Sequence, residues 1–211
     1  MKTNVYIDGF NLYYRAVRET SYKWLDLAAL CQALLPKHLI NRIRYFTADA
    51  QPRLNDPAIP ARQQAYLRAL QTIANLTIHK GQFKNREIER PLVNPLPGMP
   101  RTVRVHHMEE KGSDVNLATY LLVDGYEDDY EQALIISNDS DLALPINMIR
   151  EKLQKLVGIV NPNIDCKEHT PIELKDSATF MRQIRLATLK KCQFPATLHD
   201  NKGIISKPPG W

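Results

Sequence analysis

The chain predicts an α/β fold built on a mostly parallel sheet, and three observations carry that expectation. Short apolar, strand-like runs alternate along the sequence with stretches of helical periodicity, the signature of successive βαβ units. Four aspartates, Asp8, Asp114, Asp139 and Asp141, stand where an apolar run gives way to polar residues or where a helix pattern opens. Such junctions collect at the carboxyl edge of a parallel sheet, where these folds bind ligands. The length of 211 residues, 44% of them hydrophobic, suits one domain with a sizeable core and a short appendage.

The elements follow in order. Val5–Ile7 is a buried strand closed by Asp8-Gly9, and Leu12–Val17 begins a helix. Leu25–Leu35 has helical spacing and ends at Pro36. Arg42–Ala48 alternates as a second strand. Pro60 stands near a helix start, and Gln64–Ala74 repeats apolar residues at helical intervals. Leu76–Lys80 alternates as a strand. Asn85–Pro100 carries Pro91, Pro95, Pro97, Gly98 and Pro100, which predicts an inserted loop, with Thr102–His107 returning as a strand. A helix runs from Asp114 to about Asp124, a strand over Ala133–Ile136, a helix over Leu142–Leu153 and a strand over Leu156–Val160. Pro171–Leu189 reads as helical, and Pro195–Trp211 as irregular.

Composition narrows the function classes. No apolar run approaches the ~18 residues that cross a bilayer, so no membrane span is expected. The amino terminus passes from Lys2 straight into a strand without a secretory leader pattern. Cys31, Cys166 and Cys192 are odd in number and widely spaced, which fits reduced, packed thiols in a cytoplasmic protein. The net charge of +5 admits a nucleic-acid partner, and its distribution says more. Lys80, Lys84, Arg86, Arg90, Arg101 and Arg104 cluster against only Glu87 and Glu89, and Arg182–Lys207 is basic too, whereas Glu109–Asp141 is acidic. An acidic pocket between positive strips suits a metal nuclease: the pocket holds cations and the strips hold phosphates.

Each acid alone reads as a turn or cap residue: Asp8-Gly9 as a turn pair, Ser113-Asp114 as a helix cap, Asn138–Asp141 as a turn into a helix. Together they bunch at one kind of junction. Two carboxylates ~4 Å apart cost on the order of 4 kcal/mol at an effective dielectric of ~20. A divalent cation removes that cost, and hard oxygen ligands suit Mg²⁺ or Mn²⁺. Other α/β chemistries fit less well. A haloacid-dehalogenase-type phosphatase needs an acid two residues after the first, where Phe10 stands. A dinucleotide-binding oxidoreductase needs a glycine-rich first turn, and Gly9 is alone. A metal-free ribonuclease would pair histidines, but His106 and His107 point to opposite sides of a strand.

Three stretches, Val5–Leu12, Glu110–Val115 and Ile136–Leu142, resemble the signature motifs of the NYN domain family of the PIN-like nuclease superfamily, in the family's order. The resemblance covers about Lys2–Pro162, and the tail around Gln193–Pro195 and Lys207–Trp211 is similar to the end of bacterial members. The third motif departs from the pattern at Asn138, where glycine is usual, and at Leu142, where an aromatic is common. The resemblance implies a three-layer, doubly wound, PIN-like and Rossmann-like fold with helices on both faces. It implies a nuclease domain over residues 1–165, with the Pro-rich basic insertion at about 84–101, and a C-terminal helix and tail over 166–211. It further implies Mg²⁺- or Mn²⁺-dependent ribonuclease chemistry. Asp8, Asp114, Asp139 and Asp141 would be the metal-binding quartet, with Asn11 orienting Asp8 or a water and Ser137 and Ser140 as hydrogen-bonding support. Lys111, Lys80, Lys84, Arg86 and Arg104 would position substrate, and Tyr13 and Tyr14 could stack bases. RNA is the expected partner, with single-stranded DNA, a second copy of the chain and a regulatory protein left open. The different-class alternative is a catalytically silent RNA- or protein-binding module on the same fold.

Overall fold

Strand β1 (Lys2–Asp8) is the centre of the sheet, and it is buried from Thr3 to Asp8, as a strand covered on both faces must be. On one side lie β2 (Leu39–Thr47) and β3 (Leu76–Lys80); on the other lie β6 (Gln132–Ile136), β7 (Leu156–Asn161) and β8 (Phe180–Gln183). The computed structural model describes residues 1–164 and 169–211. Among these, six strands form the main sheet in the order β3-β2-β1-β6-β7-β8, every neighbouring pair parallel. The chain works outward from β1 to β3, then returns to β6 and works outward the other way. The switch point, and hence the ligand crevice of a doubly wound sheet, lies between β1 and β6.

Two apolar layers cover the sheet. On one face α2 (Leu27–Leu34) and α3 (Ile59–Leu70) bring Leu27, Leu30, Leu67 and Leu70 onto Val5, Ile7, Ile43 and Leu134. On the other, α4 (Ser113–Tyr126), α5 (Ala143–Leu153) and α6 (Ile172–Ser177) bring Leu117, Leu121, Ile146, Ile149 and Leu174 onto Tyr6, Phe46, Ile135 and Ile159. A buried ion pair fixes α4 on the sheet. Arg44 of β2 donates from Nε (2.7 Å) and Nη2 (2.6 Å) to Asp124 at the far end of α4, and Tyr6 Oη donates to the same carboxylate at 2.7 Å. Burial pushes the Tyr6 phenol far above its ordinary range, so it stays a proton donor.

Three sequence expectations need correction. The stretch read as loop over residues 85–100 is strand as far as Pro91. β4 (Gln82–Pro91) pairs antiparallel with β5 (Thr102–Lys111) through ten residue pairs, forming a separate ribbon outside the main sheet. Prolines exclude a central strand, but Pro91 is the last pair of a two-stranded ribbon, and Pro95, Pro97 and Pro100 fall in the tip beyond it. At ~3.4 Å per residue this arm extends on the order of 34 Å, exposed for most of its length. The stretch read as one helix over Pro171–Leu189 is α6, then β8, then α7 (Leu186–Lys191). Phe180 lies directly over Gly158 of β7, where any Cβ would come within 2.2 Å of the ring, and the open edge of β7 captures the segment. The tail is not irregular: β9 (Thr197–Asp200) and β10 (Gly203–Ser206) form a hairpin, clamped to α3 by a two-pronged Arg68–Asp200 pair at 2.9 and 2.6 Å. Cys31 and Cys192 are buried and free; Cys166 lies outside the described residues. No described helix is long and apolar enough to cross a membrane.

Candidate active site at the sheet switch point

Asp8 is the last residue of β1, and only 3% of it is exposed. The chain turns there into α1 (Gly9–Leu12), passing so close to β2 that a Cβ on Gly9 would meet Phe46 O and the Tyr45 ring at 2.7 Å; only glycine fits. Three donors converge on the Asp8 carboxylate. Asn11 N donates to Oδ1 at 2.9 Å, while Asn11 Nδ2 (2.6 Å) and Ser137 Oγ (3.0 Å) donate to Oδ2. Burial pushes this carboxyl up, and the three bonds oppose it. Asn11 is itself fixed, because its Oδ1 accepts from Arg15 Nε at 2.9 Å and Asn138 N at 3.3 Å. Asn11 and Asp8 are thus locked together by two hydrogen bonds.

Beyond the end of β6 the chain reads Ser137-Asn138-Asp139. Ser137 Oγ accepts from Asp139 N at 3.2 Å while donating to Asp8, so one hydroxyl ties the ends of β1 and β6 together. Asp139 Oδ1 accepts from Asp141 N at 3.0 Å, capping a short 3₁₀ turn over Ser140–Leu142 that leads into α5. Asp141 and Ser140 are exposed, and among the described residues the Ser140 hydroxyl reaches no carboxylate. Asn138 is 6% exposed, and its Oδ1 is a buried acceptor without a partner.

The third contribution comes from the first turn of α4. Gly112 adopts a left-handed φ of 104° and turns the chain from the arm into the helix. Asp114 follows, with an exposed flank. Its carboxyl is pushed from an ordinary 3.8 up to about 6, first by loss of hydration and then by the negative charges of Asp8, Asp139, Glu110 and Asp141. The four predicted aspartates therefore share one field, and Glu110 joins them. Sequence reasoning left Glu110 without a role. It ends the arm opposite Phe83, and it accepts from Ser113 N (3.2 Å) and Ser113 Oγ (2.5 Å), securing the start of α4. The signal available was strand alternation, which puts Phe83 and Glu110 on the same face of the ribbon. Gly81, at the arm's root, leaves room for this: a Cβ there would lie 2.1 Å from Glu110 Oε1.

The cleft has a volume of about 260 Å³. Asp8, Asn11, Glu110, Ser113 and Asp114 line one part of it, and Phe10, Tyr14 and Phe83 the other. Asp139 and Asp141 stand outside that lining. The predicted substrate cations are placed differently. Lys80 pairs with Asp49 at 2.6 Å, Lys111 with Glu109 at 3.0 Å, Arg86 with Glu109 at 3.3 Å, and Arg104 with Glu87. Lys84 and Arg86 alternate with Phe83 and Asn85 along β4, so they lie on the ribbon face opposite the one that meets the cleft.

Among the described residues, no three histidine, cysteine or carboxylate side chains stand close enough to enclose a metal ion as they are. The donor set still fits Mg²⁺ or Mn²⁺ chemically. Every donor is a hard oxygen, the carboxylates repel one another, and Asn138 Oδ1 lacks a partner. Mg²⁺ in particular keeps several waters and needs only one or two carboxylates plus substrate phosphate, not a closed protein cage.

Comparison with known proteins places the chain among relatives. The NYN domain model matches residues 2–184. The chain is 30% identical, over 237 aligned positions, to 6-hydroxy-3-succinoylpyridine 3-monooxygenase HspA of Pseudomonas putida, an alignment spanning 100% of this chain and 75% of that protein. A crystal structure of a protein of unknown function from Vibrio parahaemolyticus superposes with a TM-score of 0.54 at 17% identity, covering 87% of this chain and 92% of the other. That likeness speaks to the fold alone.

Proposed function

The chain belongs to the NYN domain family, and from that membership, with its nuclease-like fold, we propose that it is a metal-dependent ribonuclease that hydrolyses RNA phosphodiesters. One observation carries the reading: five carboxylates from three separate stretches of chain act on one another at one edge of the sheet, and loss of hydration together with their repulsion lifts Asp114 to about 6. A binding module gains nothing from such a repulsive cluster, whereas a cation site needs one.

Asp8, Asp114, Asp139 and Asp141 would hold Mg²⁺ or Mn²⁺. When bound, the cation supplies positive charge for the phosphate and acidifies the attacking water. The chain's own part is orientation. The Asn11 amide, the Asn11 backbone and Ser137 would hold Asp8 in one rotamer, so that it need not reorganise during reaction. Asp139 is held through Ser137 and its cap on Asp141. Water attacks phosphorus in line, the bond to O3′ breaks, and the products carry 5′-phosphate and 3′-hydroxyl.

The test is cleavage of labelled RNA by purified protein in Mn²⁺, in EDTA and by Asp139→Asn. Cleavage by wild type in Mn²⁺ alone supports the reading. Cleavage that survives EDTA, or none by wild type over a range of RNAs, defeats it, and the latter favours the silent binding module.

The name of the Pseudomonas putida relative favours a second reading. The aromatic side of the cleft would accept a flat hydroxypyridine beside the carboxylates, and the chain would then take part in ring hydroxylation. Consumption of O₂ and a two-electron reductant with such a pyridine, and no RNA cleavage, would be its signature.

A further inference from the structure

The acids occupy only one side of the cleft. The other wall is three rings. Phe10 and Tyr14 lie nearly parallel, at an interplanar angle of 21° with centroids 6.5 Å apart, and Phe83 meets Phe10 edge-on at 5.7 Å. Tyr14 is 47% exposed, unusual for a ring stacked on another at the mouth of a polar cleft. Guanidinium groups stand on its outer side. Arg18 lies 5.4 Å from the Tyr14 ring centre, and Arg53 Nη2 donates to Tyr14 Oη at 3.4 Å. Among the described residues the Arg18 guanidinium is otherwise paired with its exposed neighbour Glu19, at 3.2 Å, the kind of surface pair that a phosphate readily displaces. Outward from the carboxylates the surface therefore changes from acid to ring to guanidinium. A nucleic-acid strand presents the matching order: the phosphate at the cation site, a flat base, the next phosphate. The cleft, at about 260 Å³, is smaller than the ~300–1,000 Å³ pockets that take drug-sized ligands, which suits one base rather than a base pair.

We propose that the aromatic side of the cleft is a single-nucleotide subsite: the base next to the cut phosphodiester leaves its stack and lies against Phe10, Tyr14 and Phe83, and the adjoining phosphate is held by Arg18 and Arg53. The proposal rests on the ribonuclease reading above and gives it a substrate class, unpaired RNA, because a base within a duplex reaches such a cleft only by losing its partner. It also assigns phosphate recognition to the rim arginines rather than to Lys84 and Arg86 of the arm, which lie on the ribbon face turned from the cleft.

The test reads binding apart from turnover. A short RNA strand carrying 2-aminopurine is titrated with the protein in EDTA at low salt, where stacking on a ring quenches the probe. Wild type is expected to quench it. Tyr14→Ala and Phe83→Leu should each weaken binding about five- to a hundred-fold and lose most of the quenching, since stacking dominates sequence-tolerant single-strand binding. Tyr14→Phe, which keeps the ring, should retain it. Arg18→Gln with Arg53→Gln should weaken binding evenly across sequences and lower the salt slope by about 1 to 2. Annealing a complementary strand should abolish quenching. Tyr14 is exposed, so its replacement leaves the fold intact, and thermal melting checks this for every variant. The proposal is overturned if wild type does not quench, if both ring variants quench as wild type does, or if duplex quenches equally. Ring-dependent quenching without any cleavage in Mn²⁺ sinks the ribonuclease reading and leaves the subsite standing. Cleavage that does not depend on the rings does the reverse.

Discussion

Replacing Asp114 by asparagine should make the metal-free protein more stable, and the size of the gain follows from the site. The rise of the Asp114 carboxyl from 3.8 to about 6 corresponds to about 3 kcal/mol of unfavourable ionisation above pH 6. Its flank is exposed, so solvent and salt screen the repulsion, and roughly half of that figure is a fair expectation. Asparagine also gives up a favourable carboxylate at a helix N-terminus, about 0.5 kcal/mol. The net gain is about 1 kcal/mol, or a melting temperature ~2–4 °C higher for a chain of this size. The pH dependence has a fixed sign. Below pH 4 the native carboxyl is protonated, and wild type and variant should melt together. Between pH 4 and about 6 Asp114 is ionised in the unfolded chain but still holds its proton in the native one, so wild type loses stability as pH rises, and the variant's advantage opens across that window and is constant above it. Manganese should invert the order, because a cation that binds only the folded wild type adds about 2.7 kcal/mol at a hundred times its dissociation constant, and the variant gains less. The assay is thermal melting in EDTA at pH 4 and 7.5, repeated in Mn²⁺. A variant no more stable than wild type at pH 7.5 in EDTA would falsify the shared-field argument.

The same change at Asp8 should give no such gain. Three donors converge on that carboxylate, and an amide in its place sets one N–H₂ against another donor, which costs about 1–3 kcal/mol and cancels the relief of charge; urea unfolding in EDTA measures it. Asp124→Asn breaks a pair in which Arg44 and Asp124 are 7% and 2% exposed, so a loss of about 3–5 kcal/mol is expected in the same assay. Gly81→Ala should dislodge Glu110 and with it the start of α4, lowering Mn²⁺-dependent cleavage far more than it lowers the melting temperature. Replacing the outer arm, Arg86–His107, by an Asn-Gly turn should leave the melting temperature nearly unchanged, because those residues are mostly exposed.

What the sequence made legible were features that local chemistry determines. Asp8 ends an apolar run and precedes a glycine that nothing else could replace, so strand, turn and carboxylate are all written within a few residues. Ser137, named through the resemblance, follows the strand directly and bonds Asp8. Long-range packing hid the rest. Phe180–Gln183 has no strong strand signal and becomes a strand only because β7 offers an open edge and Gly158 leaves room for the Phe180 ring. The arm was obscured by prolines whose effect depends on how many neighbours a strand has. In a two-stranded ribbon they end the pairing without forbidding it. Ser140 shows the limit from the other side: the same residue type, three positions beyond the serine that bonds Asp8, faces solvent because the 3₁₀ turn points it outward.

The gathering of the acids follows from topology more than from any one motif. β1 and β6 are neighbours although some 125 residues separate them in the chain, and Ser137 Oγ spans their ends. That places Asp8 and Asp139 at the switch point whatever the intervening sequence does. Asp114 is different, because no strand carries it there. It depends on α4 being anchored by Asp124 at one end and by Glu110 and Gly112 at the other. Since β5 delivers Glu110, the arm is part of the site's construction and not an appendage to it. A partner that grips the arm would act on Glu110 and Phe83 directly, and through Ser113 on Asp114. Asp114→Asn and Gly81→Ala thus probe the one carboxylate whose position the central sheet does not determine.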